Sequence, residues 1–287
     1  MTRPRRAAVS AAVSVAAVGA VVWLLVAVQV VAPSSGAYLS QVTNTINTAA
    51  TNPYFTCRTA VVGEAGTTAY LAYPMAETSG TTATDVSGNA RPGLYTTAGV
   101  TYNQPGPCPR DAPASTAVTL NGSTGYLYGP AAALTGPNVF SVEIWFRTTV
   151  AGGKLIGFGN ASTGSSTSYD RHLYIDSGGR LQFGVYPNAV KTVASTTTVT
   201  DGRWHQAVGT LSPAGQFLYL DGQLVASTTT VTTAQAFTGY WRIGYDNLNG
   251  WTNAPTNFFF TGSLAWAATY PYALTGPQVA SHYAAGR

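Results

Sequence analysis

Between Val61 and Ala268 the chain is a succession of short apolar–polar alternations cut by turn residues, with no helical period between them. A segment of that kind buries alternate side chains, so it must build sheets that cover one another. Val139 to Thr148 is the clearest case. Phe140, Val142, Ile144 and Phe146 fall on one face, and Glu143, Trp145 and Arg147 on the other. Asp221-Gly222 lies between Phe217–Leu220 and Leu224–Ala226, the signature of a type I′ hairpin, whose two central residues need positive φ. Asp176-Ser177-Gly178-Gly179 separates Leu173–Ile175 from Leu181–Tyr186, and Pro213-Ala214-Gly215 precedes Phe217. Asn121-Gly122 sits in a longer loop between Ala117–Leu120 and Tyr126–Tyr128. Val190–Val199, Trp204–Leu211, Tyr240–Tyr245 and Phe258–Thr269 add further strands. The pattern predicts an all-β, antiparallel two-sheet jelly-roll sandwich. One short C-terminal helix is expected: Thr275 and Gln278 have capping-box spacing, Pro277 lies in the first turn, and Gly286 comes after the last periodic residue.

The N-terminus is of another kind. Arg3, Arg5 and Arg6 precede an uncharged run from Ala7 to Ala32, rich in Ala and Val. This hydrophobic helix is long enough to span a bilayer, and Ser35-Gly36-Ala37 offers small residues for cleavage. Residues 1–37 therefore read as a signal peptide or a signal anchor. Either places the rest of the chain outside the cytoplasm, secreted or membrane-anchored, because the arginines stay inside. Residues 38–64, rich in Ser, Thr, Asn and Ala, read as a linker or stalk, and residues 65–287 as the domain.

Arg3, Arg5 and Arg6 also account for three of the four net positive charges. Charged residues make up only 8% of the chain, and no basic stripe marks the body, which excludes a nucleic-acid surface. Cys57 and Cys108 are the only cysteines. In an exported chain they predict a disulfide, closing a loop worth roughly 4 kcal/mol of chain entropy.

Asp201-Gly202-Arg203-Trp204-His205, with Phe217-Leu218-Tyr219-Leu220-Asp221-Gly222 after it, resembles the laminin-G-like branch of the concanavalin A-like lectin/glucanase superfamily. Leu120-Asn121-Gly122 to Tyr126, the strand Phe140–Phe146, the turn Asp85–Asn89 and the closing stretch from Gly262 to Tyr283 fit the same order. The resemblance covers roughly residues 65 to 287. It implies a jelly roll that binds carbohydrate or a surface matrix. Relatives often carry an acidic pair after the Gly-x-Leu of the closing strand, where it can supply calcium oxygens. Here Ala265-Trp266 stands in that place, so no cofactor is expected and calcium is doubtful.

Glucanases of this superfamily need opposed carboxyls. Glu64, Glu77 and Glu143 have no acidic neighbours at the required spacing, and Asp170 and Asp176 read as loop and turn residues. Glu143 is the best single candidate, although pairing with an arginine accounts for it without catalysis. The resemblance makes His205 structural; His172 reads as a loop-edge residue, and His282 as a solvated or packing residue of the terminal helix. The most suggestive segment is Tyr245 to Asn253. Trp251 would offer a flat platform for a sugar ring, with Tyr245, Asp246, Asn247 and Asn249 beside it to bond hydroxyls. The residues favour reading the same segment as a turn-rich loop whose tryptophan folds back over the sandwich. Asp85, Ser87 and Asn89 are weak metal candidates that Asx-turn chemistry also explains. Asn121 and Asn160 stand in glycosylation sequons. The expected function is an extracellular, non-catalytic binding module for carbohydrate or matrix. A structural or adhesive protein that binds protein is the alternative, and an unusual glycoside hydrolase the third. The N-terminal segment, if retained, adds the membrane as a partner.

Overall fold

Alternation decides the layers. The computed structural model describes residues 42–43, 48–49, 55–63, 68–111 and 115–287. β1 (Val42–Thr43) and β2 (Thr48–Ala49) form an antiparallel pair in a unit of their own. The second unit runs from Tyr54 to Arg287. It opens with α1 (Cys57–Gly63), then β3 (Leu71–Tyr73), β4 (Thr82–Ala83), β5 (Gly93–Tyr95), β6 (Val100–Pro105), β7 (Thr116–Asn121), β8 (Leu127–Tyr128) and β9 (Leu134–Thr135). The long central strands are β10 (Phe140–Arg147), β11 (Lys154–Gly159), β12 (Tyr169–Ile175), β13 (Arg180–Val185), β14 (Lys191–Thr198) and β15 (Trp204–Ser212). β16 (Gly215–Leu220), β17 (Gln223–Thr228), β18 (Thr238–Ile243), β19 (Thr261–Tyr270) and α2 (Gly276–Ala285) complete the chain.

The strands pair antiparallel in two sheets. One has the order β17-β16-β15-β10-β19-β7-β6, with β3 beside β19. The other runs β14-β13-β12-β11-β18-β8-β5-β4, with β9 beside β18. The predicted two-sheet sandwich is thus present. Phe140, Val142, Ile144 and Phe146 meet Phe158, Phe183, Trp241 and Ile243 in the buried layer between the sheets. Asp221 (φ 53°) and Gly222 (φ 77°) join β16 to β17, as a type I′ turn requires.

The other face of β10 is buried too, because both helices lie on it. Trp145, Val208, Tyr219, Trp266 and Tyr270 pack there with Cys57, Ala60 and Val61 of α1 and Val279 and Ala285 of α2. The Cys57–Cys108 disulfide, with Cα atoms 6.0 Å apart, ties α1 to the loop before β7. Composition alone assigns residues 57–63 to a linker. They belong to the domain instead, since Ala60 and Val61 bury against the sheet, a contact their small side chains do not announce in sequence. The capping box of Thr275 and Gln278 starts α2 as predicted. The expected hydrophobic helix of residues 1–37 lies outside the described residues. Among those described, no helix is long and apolar enough to cross a membrane.

Candidate functional site

The segment between β18 and β19 folds over the outer face of β11–β14 and β18. Gly184 makes room for it: a Cβ there would stand 2.4 Å from Cζ3 of Trp251. Trp251 therefore packs against bare backbone, edge-on to His172 with ring centroids 4.4 Å apart, and packs with Tyr174 and Leu248. Only 6% of it is exposed. As a freely presented platform the sequence reading of Trp251 is corrected, since its ring is spent on the protein's own sheet. What remains accessible borders a cleft of about 530 Å³.

Four chain segments build that cleft. Tyr169 opens β12, Tyr186, Ala189 and Val190 come after β13, and Gln235 precedes β18; Asn249, Gly250 and Trp251 form the remaining wall. One buried carboxylate sets two of these walls. Asp170 accepts hydrogen bonds from the backbone N–H of Tyr186 (2.9 Å) and of Gln235 (2.5 Å), and pairs with Arg171 at 3.2 Å. Burial raises its pKa, against the opposing pull of Arg171 and the backbone donors. The Tyr169 hydroxyl donates to the Asn249 carbonyl at 2.9 Å and fixes the third wall. Among the described residues, no charged side chain lines the cleft. Its chemistry is that of aromatic faces beside planar amides and hydroxyls, which holds neutral rings bearing hydroxyl groups. Of the predicted residues, Trp251 and Asn249 line it. Sequence reasoning misses Tyr169, Tyr186 and Gln235, because only the pairing of β12 with β13 and the Asp170 bonds bring them together.

Asp246 and Asn247 act inside the loop. Asp246 is wholly buried, so its predicted role in bonding a ligand is corrected for this conformation. Its Oδ1 accepts from the N–H of Ser166 and of Asn247, and its Oδ2 lies 3.6 Å from Lys154 Nζ, an ion pair longer than a hydrogen bond. Asn247 donates to the Ser166 carbonyl and accepts from the Asn249 N–H. Burial lowers Lys154 to about 8, against the pull of Asp246. Burial, reinforced by Lys154, also pushes the His172 imidazole well below its ordinary range. His172 lies under the loop, not at a loop edge. Tyr245 stands apart from the cleft, stacked on Phe259 at 3.7 Å.

The remaining candidates have structural duties. Asp85 accepts from the N–H of Ala72, Ser87 and Arg91 and from the Ser87 hydroxyl, while Asn89 donates to the Ala69 carbonyl. Those bonds engage both Asp85 oxygens. Glu143 is corrected on both of its readings: its partner is not arginine, and it faces no cleft. It is buried beneath α2, where His282 Nδ1, Gln206 Nε2 and the Tyr270 hydroxyl surround its carboxylate. His282 is accordingly a buried partner, not a solvated one. His205 is structural in the way the resemblance implies, bridging Asp201 and Asp221 through its two ring nitrogens. Trp266, which occupies the acidic-pair position, is buried on the helix side.

These features define the class as a lectin-like jelly roll with an uncharged aromatic cleft. The chain belongs to the concanavalin A-like lectin/glucanases superfamily, whose laminin-G-like model matches residues 121–280, more than half of it. Similar solved structures include the binding domain of Paraclostridial Mosquitocidal Protein 1, at 14% identity and a TM-score of 0.54, covering 75% of this chain and 52% of that one. Trypanosoma rangeli sialidase in complex with sialic acid matches at 14% identity and a TM-score of 0.50, covering 74% of this chain. The chain spans 32% of that sialidase's length. At such identities the likeness is one of fold, a fold shared by catalytic and non-catalytic proteins. No curated protein sequence matches the chain.

Proposed function

We propose that the domain is a non-catalytic module that binds carbohydrate outside the cytoplasm. The observation that carries this reading is the cleft of Tyr169, Tyr186, Gln235, Asn249 and Trp251, which joins aromatic surface to amide groups and, among the described residues, has no carboxylate along its walls. The common mechanism of glycoside hydrolysis places two carboxyl groups astride the scissile bond. Asp170, whose bonds hold two walls of the cleft, is buried and bonded to Arg171, Tyr186 and Gln235. Arg3, Arg5 and Arg6 before the apolar run Ala7–Ala32 support export.

The test is retention of the full-length chain on immobilised polysaccharides and a glycan array. Tyr186→Ala should weaken retention about tenfold or more, the scale of one lost aromatic contact. Silence across broad panels overturns carbohydrate binding. Release of reducing ends from a retained polymer overturns the non-catalytic half.

A further inference from the structure

The segment between β18 and β19 is held firmly in place. The Lys154 N–H donates to the Phe258 carbonyl at 2.9 Å, the Ser177 N–H to the Asn253 carbonyl at 3.0 Å, and Asn257 Nδ2 to the Gly122 carbonyl at 2.8 Å. Within this fixed frame one buried pair is incompletely satisfied. Lys154 Nζ and Asp246 Oδ2 lie 3.6 Å apart with both side chains fully enclosed, and neither atom has a hydrogen-bond partner among the described residues. Burying charges so loosely paired is costly. The neighbouring ions are engaged elsewhere. Arg242 donates to the Ala161 and Gly164 carbonyls at 2.7 and 2.8 Å, and Asp170 pairs with Arg171.

The pair has instead the arrangement that a reaction requires. Burial lowers the Lys154 ammonium to about 8, against the pull of Asp246, so a free amine is accessible near neutral pH. Oδ1 of Asp246 accepts from the N–H of Ser166 at 2.9 Å and of Asn247 at 2.8 Å. Two backbone donors on one carboxyl oxygen stabilise the negative charge that develops there when an amine adds to the carbon. Oδ2, the oxygen that faces the amine, carries no such bond and is the one able to depart. Gly159 leaves room for it, since a Cβ there would stand 2.2 Å from Oδ2. Reactants held at this range by a packed frame need little further ordering.

We propose that Lys154 and Asp246 condense in the folded protein to an intramolecular amide, a covalent brace between β11 and the segment that walls the cleft. Proton transfer within the pair gives an amine and a carboxylic acid. The amine lone pair attacks Cγ of Asp246, and charge gathers on Oδ1. The nitrogen then passes a proton to Oδ2, the Cγ–Oδ2 bond breaks, Oδ1 returns to a carbonyl and one water leaves. A C–N bond replaces a C–O bond, and no co-reactant is consumed. The product removes two buried charges and fastens Asn249, Gly250 and Trp251 to the sheet beneath them. It forms whether or not the cleft takes carbohydrate, so failure of either reading leaves the other standing.

The test is tryptic peptide mapping of the purified full-length chain by mass spectrometry, after overnight incubation at neutral pH. Trypsin should fail at Lys154 and release residues 148–171 joined to residues 243–287. The joined species should weigh about 18 Da less than the two peptides together, with fragment ions placing the bond at Lys154 and Asp246. Lys154→Arg keeps the positive charge but removes the amine nucleophile, and should yield every peptide unjoined. Complete cleavage after Lys154 in the parent, with residues 155–171 and 243–287 at full mass, overturns the crosslink. A loss of water confined to residues 243–287, as ring closure to a succinimide at Asp246 would produce, overturns it too. Joined peptides that persist in Lys154→Arg place the bond elsewhere and likewise overturn it.

Discussion

His282 Nδ1 lies 2.8 Å from Oε2 of Glu143, and both side chains are completely enclosed between α2 and the central strand β10. The pair fastens the terminal helix to the middle of the sheet, with Gln206 at 2.7 Å and the Tyr270 hydroxyl at 3.0 Å completing the carboxylate's bonds. Burial alone would raise the Glu143 pKa, but His282, Gln206 and Tyr270 outweigh it and hold it below the ordinary carboxylate value. Truncating one member of such a pair leaves the other buried without its partner. Glu143→Ala should therefore cost about 3–5 kcal/mol, measured by urea unfolding at neutral pH. Glu143→Gln keeps the shape and should cost about 1–3 kcal/mol.

The same pair sets an acid limit. The folded-state pKa of Glu143 is depressed, so its stabilisation is complete above the ordinary value of 4.5 and is lost as pH falls through the lower folded value. Urea midpoints between pH 6 and pH 3 should fall less steeply in Glu143→Gln than in the parent. Equal slopes would show that Glu143 carries no linkage.

His205 has the opposite sign. Burial opposes its charge, yet Asp221 at 2.8 Å and Asp201 at 3.0 Å raise its pKa above 6.5. Its contribution is complete below 6.5 and is lost as pH rises through the higher folded value. Asp221→Asn isolates the charge, because asparagine tolerates the positive φ of this turn and retains an acceptor for the Gln206 N–H. The variant should lose about 1 kcal/mol at pH 6, and the deficit should shrink toward pH 9. Histidine titration by NMR should show the His205 pKa falling in the variant.

The range of each interaction decides how much of it is legible in sequence. Phe140 to Phe146 announces its two faces because strand alternation is local, and Asp221-Gly222 announces its hairpin because φ is a property of single residues. Thr275 and Gln278 announce their helix for the same reason. The fate of Trp251 is not local. It depends on Gly184 offering bare backbone in a strand far away in sequence, and a glycine inside a strand does not say what will lie upon it. Asp246 reads as a ligand group because nothing nearby reveals Lys154. Tyr186 and Gln235 escape a local reading since a third residue, Asp170, holds both through their backbone. Glu143 points in sequence to its neighbour Arg147, whereas its partner arrives from the terminal helix.

The disulfide should matter for α1. Cys57 and Cys108 are 51 residues apart, so the crosslink removes unfolded-state entropy worth roughly 4 kcal/mol in the chain-entropy model. Cys57→Ser/Cys108→Ser should lose roughly 2–4 kcal/mol in urea unfolding. Amide exchange should rise first in residues 57–63, whose other ties to the sheet are the packing of Ala60 and Val61 and the Tyr270 hydroxyl beside the Val61 carbonyl.

Gly184 separates the scaffold from the loop it supports. A Cβ at this position would sit 2.4 Å from Cζ3 and 2.8 Å from Cε3 of Trp251, both in a ring that cannot bend aside as a flexible chain end would. In Gly184→Ala the methyl must lift the indole off β13, and the overpacking should cost about 1–3 kcal/mol. The strand itself has no objection, since Gly184 does not occupy the positive-φ region. The damage should therefore concentrate in residues 245–254. Amide exchange there should accelerate while β10 and β15 stay protected, and Trp251 fluorescence should shift to the red as its ring meets water. If exchange rises uniformly through both sheets, Gly184 is instead part of the global core and Trp251 does not rest on it as an independent cover.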